Sequence, residues 1–166
     1  MSDSTSSWGS AGPYELPATT HSYLSRAAAS LVDAITAPDV PTRYACAHVA
    51  ALRAAAALLA ARARPAPRPR GRRQKNAWVL LTEVAPELSE WAGFFAGGAA
   101  KRAAAEAGST RAVTEREADD LVRDADRFLG VVEQALGLVP HVASPQLCVL
   151  ADLRRQPARS SRVRAG

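Results

Sequence analysis

The 166-residue sequence is poor in the residue types that build β-sheets. Aromatic residues make up 5% of the chain, and it holds one Ile and 13 Val against 37 Ala and 16 Leu. Alanine is the strongest helix former, whereas β-branched and aromatic residues favour strands. These scarcities argue against an all-β or α/β domain, and the length suits one compact domain with tails. The composition therefore predicts a small all-α domain of closely packed helices.

Cysteine clusters, long apolar runs and the common catalytic motifs are also missing. The two cysteines, Cys46 and Cys148, stand 102 positions apart, outside any metal-binding spacing. The sequence contains no phosphate-binding loop, dinucleotide fingerprint, HExxH or GxSxG motif, so we expect neither a metal nor a cofactor. The first 17 residues do not resemble a signal peptide, and the longest apolar run, Ala54–Ala61, is far shorter than a membrane span. We therefore expect a cytoplasmic protein without a membrane partner.

The positive charge is concentrated in two segments that contain no acidic residue. The net charge is +5, yet residues 62–75 hold seven basic residues and residues 154–166 hold five, so the rest of the chain carries −7. Such segments suit salt-dependent contacts with the phosphates of RNA or DNA, although neither contains an aromatic residue for base stacking. The alternative is a solvated linker and tail. The predicted nucleic-acid-binding residues are Arg62, Arg64, Arg68, Arg70, Arg72, Arg73, Lys75, Arg154 and Arg155.

Apolar periodicity and helix-end signals predict an up-and-down bundle of four to five helices over residues 18–139. Residues 1–17 are predicted to be disordered, residues 62–75 to form an exposed Pro/Arg loop, and residues 140–166 to form a basic tail with one short helix near 146–154. The predicted helices begin after Thr19 and Thr20, near Asp39, near Asn76, at Pro86 and at Thr114, and the fourth is weakened at Gly97 and Gly98. The expected core anchors are Trp78, Trp91, Phe94, Phe95 and Phe128.

One local pattern suggests chemistry. Arg43 and His48 stand five positions apart at the start of the second predicted helix. An imidazole can move a proton near neutral pH, and an arginine can hold a phosphate and stabilise its developing charge. The two side chains lie about 140° apart around a helix, so they could converge on one phosphate only near a helix end or across a dimer cleft. The alternative is that Arg43 is a solvated residue and His48 a polar contact within the bundle.

Three stretches together resemble a known family. They are RYACAHVAALRAAAALLA, NAWVLLTEVAPELSEWAGFFAGGAAKRAAAEAG and TEREADDLVRDADRFLGVVEQALGL. Over about residues 20–139 they are similar to the actinobacterial branch of the HEPN-domain superfamily, in which R-x4-H is a ribonuclease spacing. The resemblance implies a helical bundle that can dimerise and that binds or cleaves RNA, in defence, RNA-processing or DNA-damage settings. Active members carry the motif at the start of a late helix, whereas residues 114–138 of this chain contain no histidine.

Three functions follow as hypotheses. The leading one is a non-catalytic HEPN-like module that binds RNA, DNA or a protein partner in a DNA-damage or defence context. The first alternative is a metal-independent endoribonuclease that uses Arg43 and His48. The second alternative is a scaffold that binds only proteins. A homodimer is compatible with each of them.

Overall fold

The computed structural model describes residues 15–62 and 75–142 of the chain. The predicted disordered segment before residue 15, the middle of the Pro/Arg loop and the predicted short helix and basic end of the tail lie outside the described residues. Within these two ranges the chain is helical and has no strand, which confirms the all-α class. The helices are α1 (Ala18–Thr36), α2 (Val40–Arg62), α3 (Ala77–Val84), a 3-10 turn (Pro86–Leu88), α4 (Ser89–Gly97), α5 (Ala99–Glu106) and α6 (Glu115–Ala135).

Several helix starts follow local capping chemistry that the sequence predicted. At the start of α2, Asp39 Oδ1 accepts the backbone N–H of Thr42 at 2.9 Å. At the start of α6, Thr114 and Glu117 form the capping box, in which each side chain accepts the backbone N–H of the other residue. The sequence predicted only the start of the third helix near Asn76, and the structure adds that the Asn76 side chain caps α3 by accepting the amides of Trp78 and Val79. Each cap satisfies an amide that the helix itself leaves without a partner.

The predicted threonine caps of α1 were wrong. The helix begins at Ala18, its N-cap position is Pro17, and no side chain caps it. Thr20 lies in the first turn and is fully buried, and its amide donates to the carbonyl oxygen of Pro17 at 2.9 Å. A proline next to the first helical residue can start the helix without a side-chain acceptor, because its φ is already restricted and it has no N–H of its own to satisfy.

The fourth predicted helix is interrupted at the expected weak point. Gly98 separates α4 from α5, and its amide donates to the carbonyl oxygen of Phe95 at 3.1 Å. Gly108 ends the α5 region with a φ of +85°, a backbone conformation that glycine adopts without strain.

The long helices alternate in direction. At the start of α2, Arg43 bonds to Asp119 near the start of α6, and at the other end Arg62 bonds to Ala135 at the end of α6, so these two helices are parallel. The short connection between α1 and α2 makes that pair antiparallel. The turn before α4 carries Glu87, which pairs with Arg62, so α4 and α5 run opposite to α2. The result is the predicted up-and-down bundle, with α3 as a short connector.

The core combines alanine-lined helix contacts with an aromatic cluster. Helix α2 packs against α1, α3, α5 and α6, and its many buried alanines let the neighbouring backbones approach closely. The rings of Trp78 and Phe95 stack with centroids 5.3 Å apart, and Phe128 lies 5.2 Å from Phe95. By length and hydropathy α2 could also cross a membrane, yet half of that segment is buried among the other helices.

The expectation that Phe94 anchors the core was wrong. Its side chain is 50% exposed, whereas the neighbouring Phe95 is fully buried. Successive residues on a helix point about 100° apart, so the two rings could not both face the core. Phe95 occupies the core position, and Phe94 is left on the surface.

Candidate functional site

His48 lies inside the bundle and not on a surface. Its side chain is 2% exposed, and its ring meets the rings of Trp78 and Phe95 edge-on at centroid distances of 6.0 and 6.1 Å. Nε2 lies 2.9 Å from the carbonyl oxygen of Phe95. A carbonyl oxygen only accepts hydrogen bonds, so Nε2 carries the proton and donates. His48 therefore connects the middle of α2 to the end of α4.

The surroundings of His48 favour its neutral form. Burial lowers its pKa, the nearby charge of Arg102 acts in the same direction, and the hydrogen bond to Phe95 only partly opposes them. Nδ1 is buried and has no hydrogen-bond partner among the described residues. A general base needs a substrate proton within hydrogen-bonding reach, and the buried ring presents neither nitrogen to solvent.

Gly98 allows the helices to approach closely around His48. A Cβ atom at this position would lie 2.9 Å from the hydroxyl oxygen of Tyr44 and 3.3 Å from Cδ2 of His48. The first distance is shorter than real Cβ contacts, so a side chain at this position would force the Tyr44 side chain or the two helices to shift. The buried phenol of Tyr44 thus lies beside the imidazole and helps to exclude water from it.

Arg43 is also buried, but it faces a different helix. Its side chain donates through Nη1 to Asp119 Oδ1 at 2.9 Å, and Glu115 Oε1 lies 3.9 Å away. The residue is 5% exposed, and its Nε has no hydrogen-bond partner among the described residues. Two carboxylates on the first turns of α6 therefore neutralise the guanidinium, which leaves no free surface for a phosphate.

The structure does not bring Arg43 and His48 together on one phosphate-binding surface. Arg43 contacts the start of α6, and His48 contacts the end of α4 and the rings of α3 and α4. The separation of about 140° around one helix directs them to these different neighbours. The burial of both side chains argues against a catalytic role for Arg43 and His48. Their catalytic role stays a prediction.

Two of the nine predicted nucleic-acid-binding residues are described, and both are the ends of the Pro/Arg loop. Arg62 pairs with Glu87 and also donates through Nη2 to the carbonyl oxygen of Ala135 at 2.9 Å. Lys75 pairs with Glu83. The remaining seven, Arg64, Arg68, Arg70, Arg72, Arg73, Arg154 and Arg155, lie outside the described residues. Both ends of the basic loop are consequently held at the end of the bundle where α6 also ends.

A third polar cluster was missed at the sequence level. The imidazole of His141 bonds through Nδ1 to Glu133 Oε2 at 2.8 Å and through Nε2 to Asp126 Oδ1 at 3.0 Å. Its backbone N–H donates to the same Glu133 oxygen at 2.8 Å. Burial disfavours the charged ring, but the two carboxylates outweigh it and raise the pKa of His141. The seven-residue spacing of Asp126 and Glu133 on α6, two helical turns, was the signal that could have suggested this contact.

An open cleft of about 310 Å³ lies between α4 and α6 and is lined by Glu90, Trp91, Phe94 and Asp124. Burial raises the pKa of Asp124, and Arg127 lowers it less. In the two described ranges no group of three or more His, Cys, Asp or Glu residues could hold a metal ion.

Comparison with known proteins supports one family. A family model described as SAV_6107-like HEPN matches residues 34–133, more than half of the chain. The match spans α2 to α6 almost completely, including Arg43, His48 and the α4–α6 cleft. No curated protein and no solved structure matches the chain.

Proposed function

Because the chain belongs to the SAV_6107-like HEPN family, we propose that it is a non-catalytic HEPN module that binds nucleic acid through its two basic segments. The observation that carries the non-catalytic part is the burial of His48. The observation that carries the binding part is the concentration of twelve basic residues, without an acidic one, in residues 62–75 and 154–166.

Burial of the two motif residues supports binding without cleavage. A ribonuclease of this kind needs an imidazole that reaches a ribose hydroxyl or leaving oxygen and an arginine that reaches the phosphate. Here the imidazole bonds to the backbone of α4, and Asp119 neutralises the guanidinium. Both side chains already have structural contacts, and a substrate would have to separate α2 from α4 and α6 to reach them.

The position of the loop ends supports binding at one end of the bundle. Arg62 and Lys75 are held by Glu87 and Glu83, which are four residues apart on neighbouring elements. The bond from Arg62 to Ala135 places the end of α6 beside the first loop end. After α6 the chain turns back along this helix, because His141 bonds to Glu133 and Asp126. Twelve basic residues belong to two segments that contain no acidic residue, whereas the rest of the chain carries −7. This concentration of charge suits sequence-independent contacts with phosphates.

The proposal is tested by fluorescence anisotropy of the full chain with labelled single-stranded RNA, single-stranded DNA and duplex DNA. We expect binding to weaken steeply between about 50 and 200 mM salt, as counterion release requires. Replacing Arg68, Arg70, Arg72 and Arg73 with Gln should weaken binding at least about tenfold at low salt. The matched control replaces four exposed arginines outside the basic segments, Arg26, Arg111, Arg116 and Arg127, with Gln, and should change the affinity less than about twofold. Equal losses in the two variants would contradict binding through the basic segments.

The non-catalytic part is tested with the same labelled RNA in the presence of EDTA. We expect the RNA to remain intact after prolonged incubation with the wild-type chain. Cleavage that disappears in a folded His48→Gln variant would overturn this part and support the endoribonuclease alternative. Cleavage that persists in that variant would indicate a contaminating nuclease. After further purification of the same chain, we expect the RNA to remain intact.

A further inference from the structure

We propose that the cleft between α4 and α6 is a docking site for an arginine side chain of a partner protein. Its lining residues, Glu90, Trp91, Phe94 and Asp124, are aromatic or acidic, and none belongs to the basic segments.

Two aromatic side chains of α4, Trp91 and Phe94, line the cleft. Phe94 is 50% exposed, and its ring meets Trp91 edge-on with centroids 6.4 Å apart. A large exposed aromatic ring beside a cleft is typical of a contact surface. The faces of such rings attract cations, and an arginine guanidinium stacks on them more readily than an ammonium group does.

The floor of the cleft is rigid. Trp91 packs nearly parallel to Phe95, with centroids 5.9 Å apart, and its ring lies 5.5 Å from that of Phe128. Phe95 and Phe128 are fully buried, so the core holds the indole in place. A side chain that docks here therefore meets a surface whose shape is already formed, which reduces the entropy lost on binding.

Each side of the cleft carries one carboxylate, Glu90 on α4 beside the aromatic rings and Asp124 on α6. No basic side chain of residues 15–62 or 75–142 forms an ion pair with Glu90, and Asp124 has only the solvent-exposed Arg127 at 3.6 Å. An exposed pair on one helix is weak, so an incoming cation can compete for Asp124. A planar guanidinium can donate to carboxylates while its face lies on an aromatic ring, which the fork geometry of arginine permits.

Charge complementarity identifies the kind of partner. The chain outside its basic segments carries a net charge of −7, so this body attracts basic polypeptides and repels the phosphates of nucleic acids. The cleft is open on one side, so a side chain can enter while the partner's backbone stays outside. These features fit an arginine presented on the surface of a basic partner protein.

The test titrates the full ¹⁵N-labelled chain with the peptide acetyl-Gly-Ser-Arg-Ser-Gly-amide and follows the indole N–H signal of Trp91 by NMR. The control peptide carries citrulline, which has nearly the shape of arginine but no charge. We expect the arginine peptide to give saturable shifts in the millimolar range and the citrulline peptide to bind at least about fivefold more weakly. Equal affinity for the two peptides, or no saturable shift, would overturn the proposal.

Variants of the lining residues sharpen the test. Phe94→Ala and Asp124→Asn should each weaken binding of the arginine peptide about threefold or more, whereas Val32→Ala and Asp33→Asn, exposed positions on α1, should leave it unchanged. Arg127→Gln removes the competing cation and should strengthen binding. A general loss of affinity in the α1 controls, or no response in the lining variants, would show that the peptide binds elsewhere.

Two further measurements identify other occupants. Replacing the five arginines of residues 154–166 with Gln in the full chain should not move the Trp91 signal in the absence of peptide. A shift in that variant would assign the cleft to the chain's own tail and overturn docking of a partner. A Trp91 signal that moves with protein concentration would assign the cleft to a second copy of the chain. This result would also overturn docking of a partner.

Discussion

The Nε2 atom of His48 donates to the carbonyl oxygen of Phe95 at 2.9 Å, and the amide of Gly98 donates to the same oxygen at 3.1 Å. This carbonyl stands where α4 stops and α5 begins, so it lies at an interruption of the regular helical hydrogen bonds. His48 thus compensates for the break between the two helices from the neighbouring helix α2. This hydrogen bond gives the histidine of the R-x4-H pattern a structural role, and that role accounts for its burial without a catalytic one.

Replacing His48 with Ala should lower the free energy of unfolding by about 2–4 kcal/mol. The change leaves a cavity among aromatic rings and removes a hydrogen bond to a buried carbonyl oxygen. Urea denaturation followed by circular dichroism measures the effect. His21→Ala, at an exposed position on α1, is the matched control and should stay within about 0.5 kcal/mol of the wild type. Equal stability of the His48 variant and the wild type would contradict the role given to this hydrogen bond.

Gly98→Ala should destabilise the chain by about 1–3 kcal/mol, since the new methyl group would lie 2.9 Å from the Tyr44 hydroxyl. Removing that hydroxyl in a Tyr44→Phe background should reduce the cost of Gly98→Ala, and a double-mutant cycle measures the difference. At Gly93 a Cβ atom would meet nothing within 4 Å. Gly93→Ala should therefore stabilise α4 by about 0.5–1 kcal/mol. Similar effects at the two glycines would show that the close approach of α5 to α2 is not what requires Gly98.

Asp119→Asn should cost about 1–3 kcal/mol of unfolding free energy, because it weakens the main carboxylate partner of a buried guanidinium. Glu115, at 3.9 Å from Arg43, retains part of the compensation and keeps the loss below that of a fully orphaned charge. The neighbouring Asp120→Asn is the control, since its ion pairs with Arg116 and Arg123 are exposed and should matter by less than about 0.5 kcal/mol. Thermal unfolding of both variants at the same ionic strength decides between these outcomes.

His141 should make stability depend on pH in a defined direction. Its pKa in the folded chain is raised above the ordinary value of 6.5, so the folded state holds the proton more tightly than the unfolded state. The resulting stability is fully present below pH 6.5 and is lost as the pH rises through the folded pKa. His141→Gln should therefore lose more stability at pH 6 than at pH 9.

Urea denaturation of the wild type and His141→Gln across this pH range measures the difference, and an NMR titration of the His141 ring locates its folded pKa. Val32→Ala, at an exposed position without a titratable group, should show the same small difference from the wild type at every pH. A gap between His141→Gln and the wild type that grows as the pH rises would contradict the assigned direction.

Local signals in the sequence were sufficient for most helix ends. The Asp39 cap, the Thr114–Glu117 capping box and the Gly108 stop depend on residues within one turn of each other, so their chemistry is visible in a short stretch. The prediction that threonines cap α1 was wrong because this helix already begins at Ala18, directly after Pro17. The prediction that Phe94 anchors the core was wrong because two adjacent rings compete for one core position. Periodicity alone does not say which ring occupies it.

The candidate sites depended on contacts distant in sequence. Residues 43 and 119 form an ion pair across 76 positions, and residues 48 and 95 form a hydrogen bond across 47. A motif such as R-x4-H specifies residue types and spacing along one helix, but it carries no information on which neighbouring helices cover each side chain. Only the packed structure distinguishes a catalytic pair from two buried polar contacts.

The sequence by itself determined the all-α class, most helix ends and the separation of two basic segments from an acidic remainder, because helix propensity, capping and net charge are properties of composition and short-range pattern. The tertiary structure alone decided that Arg43 and His48 are buried against different helices, that Phe94 faces solvent, and that Glu90 and Asp124 meet across a cleft. These outcomes depend on how helices rotate and approach one another, and that is set by packing of the whole core at once.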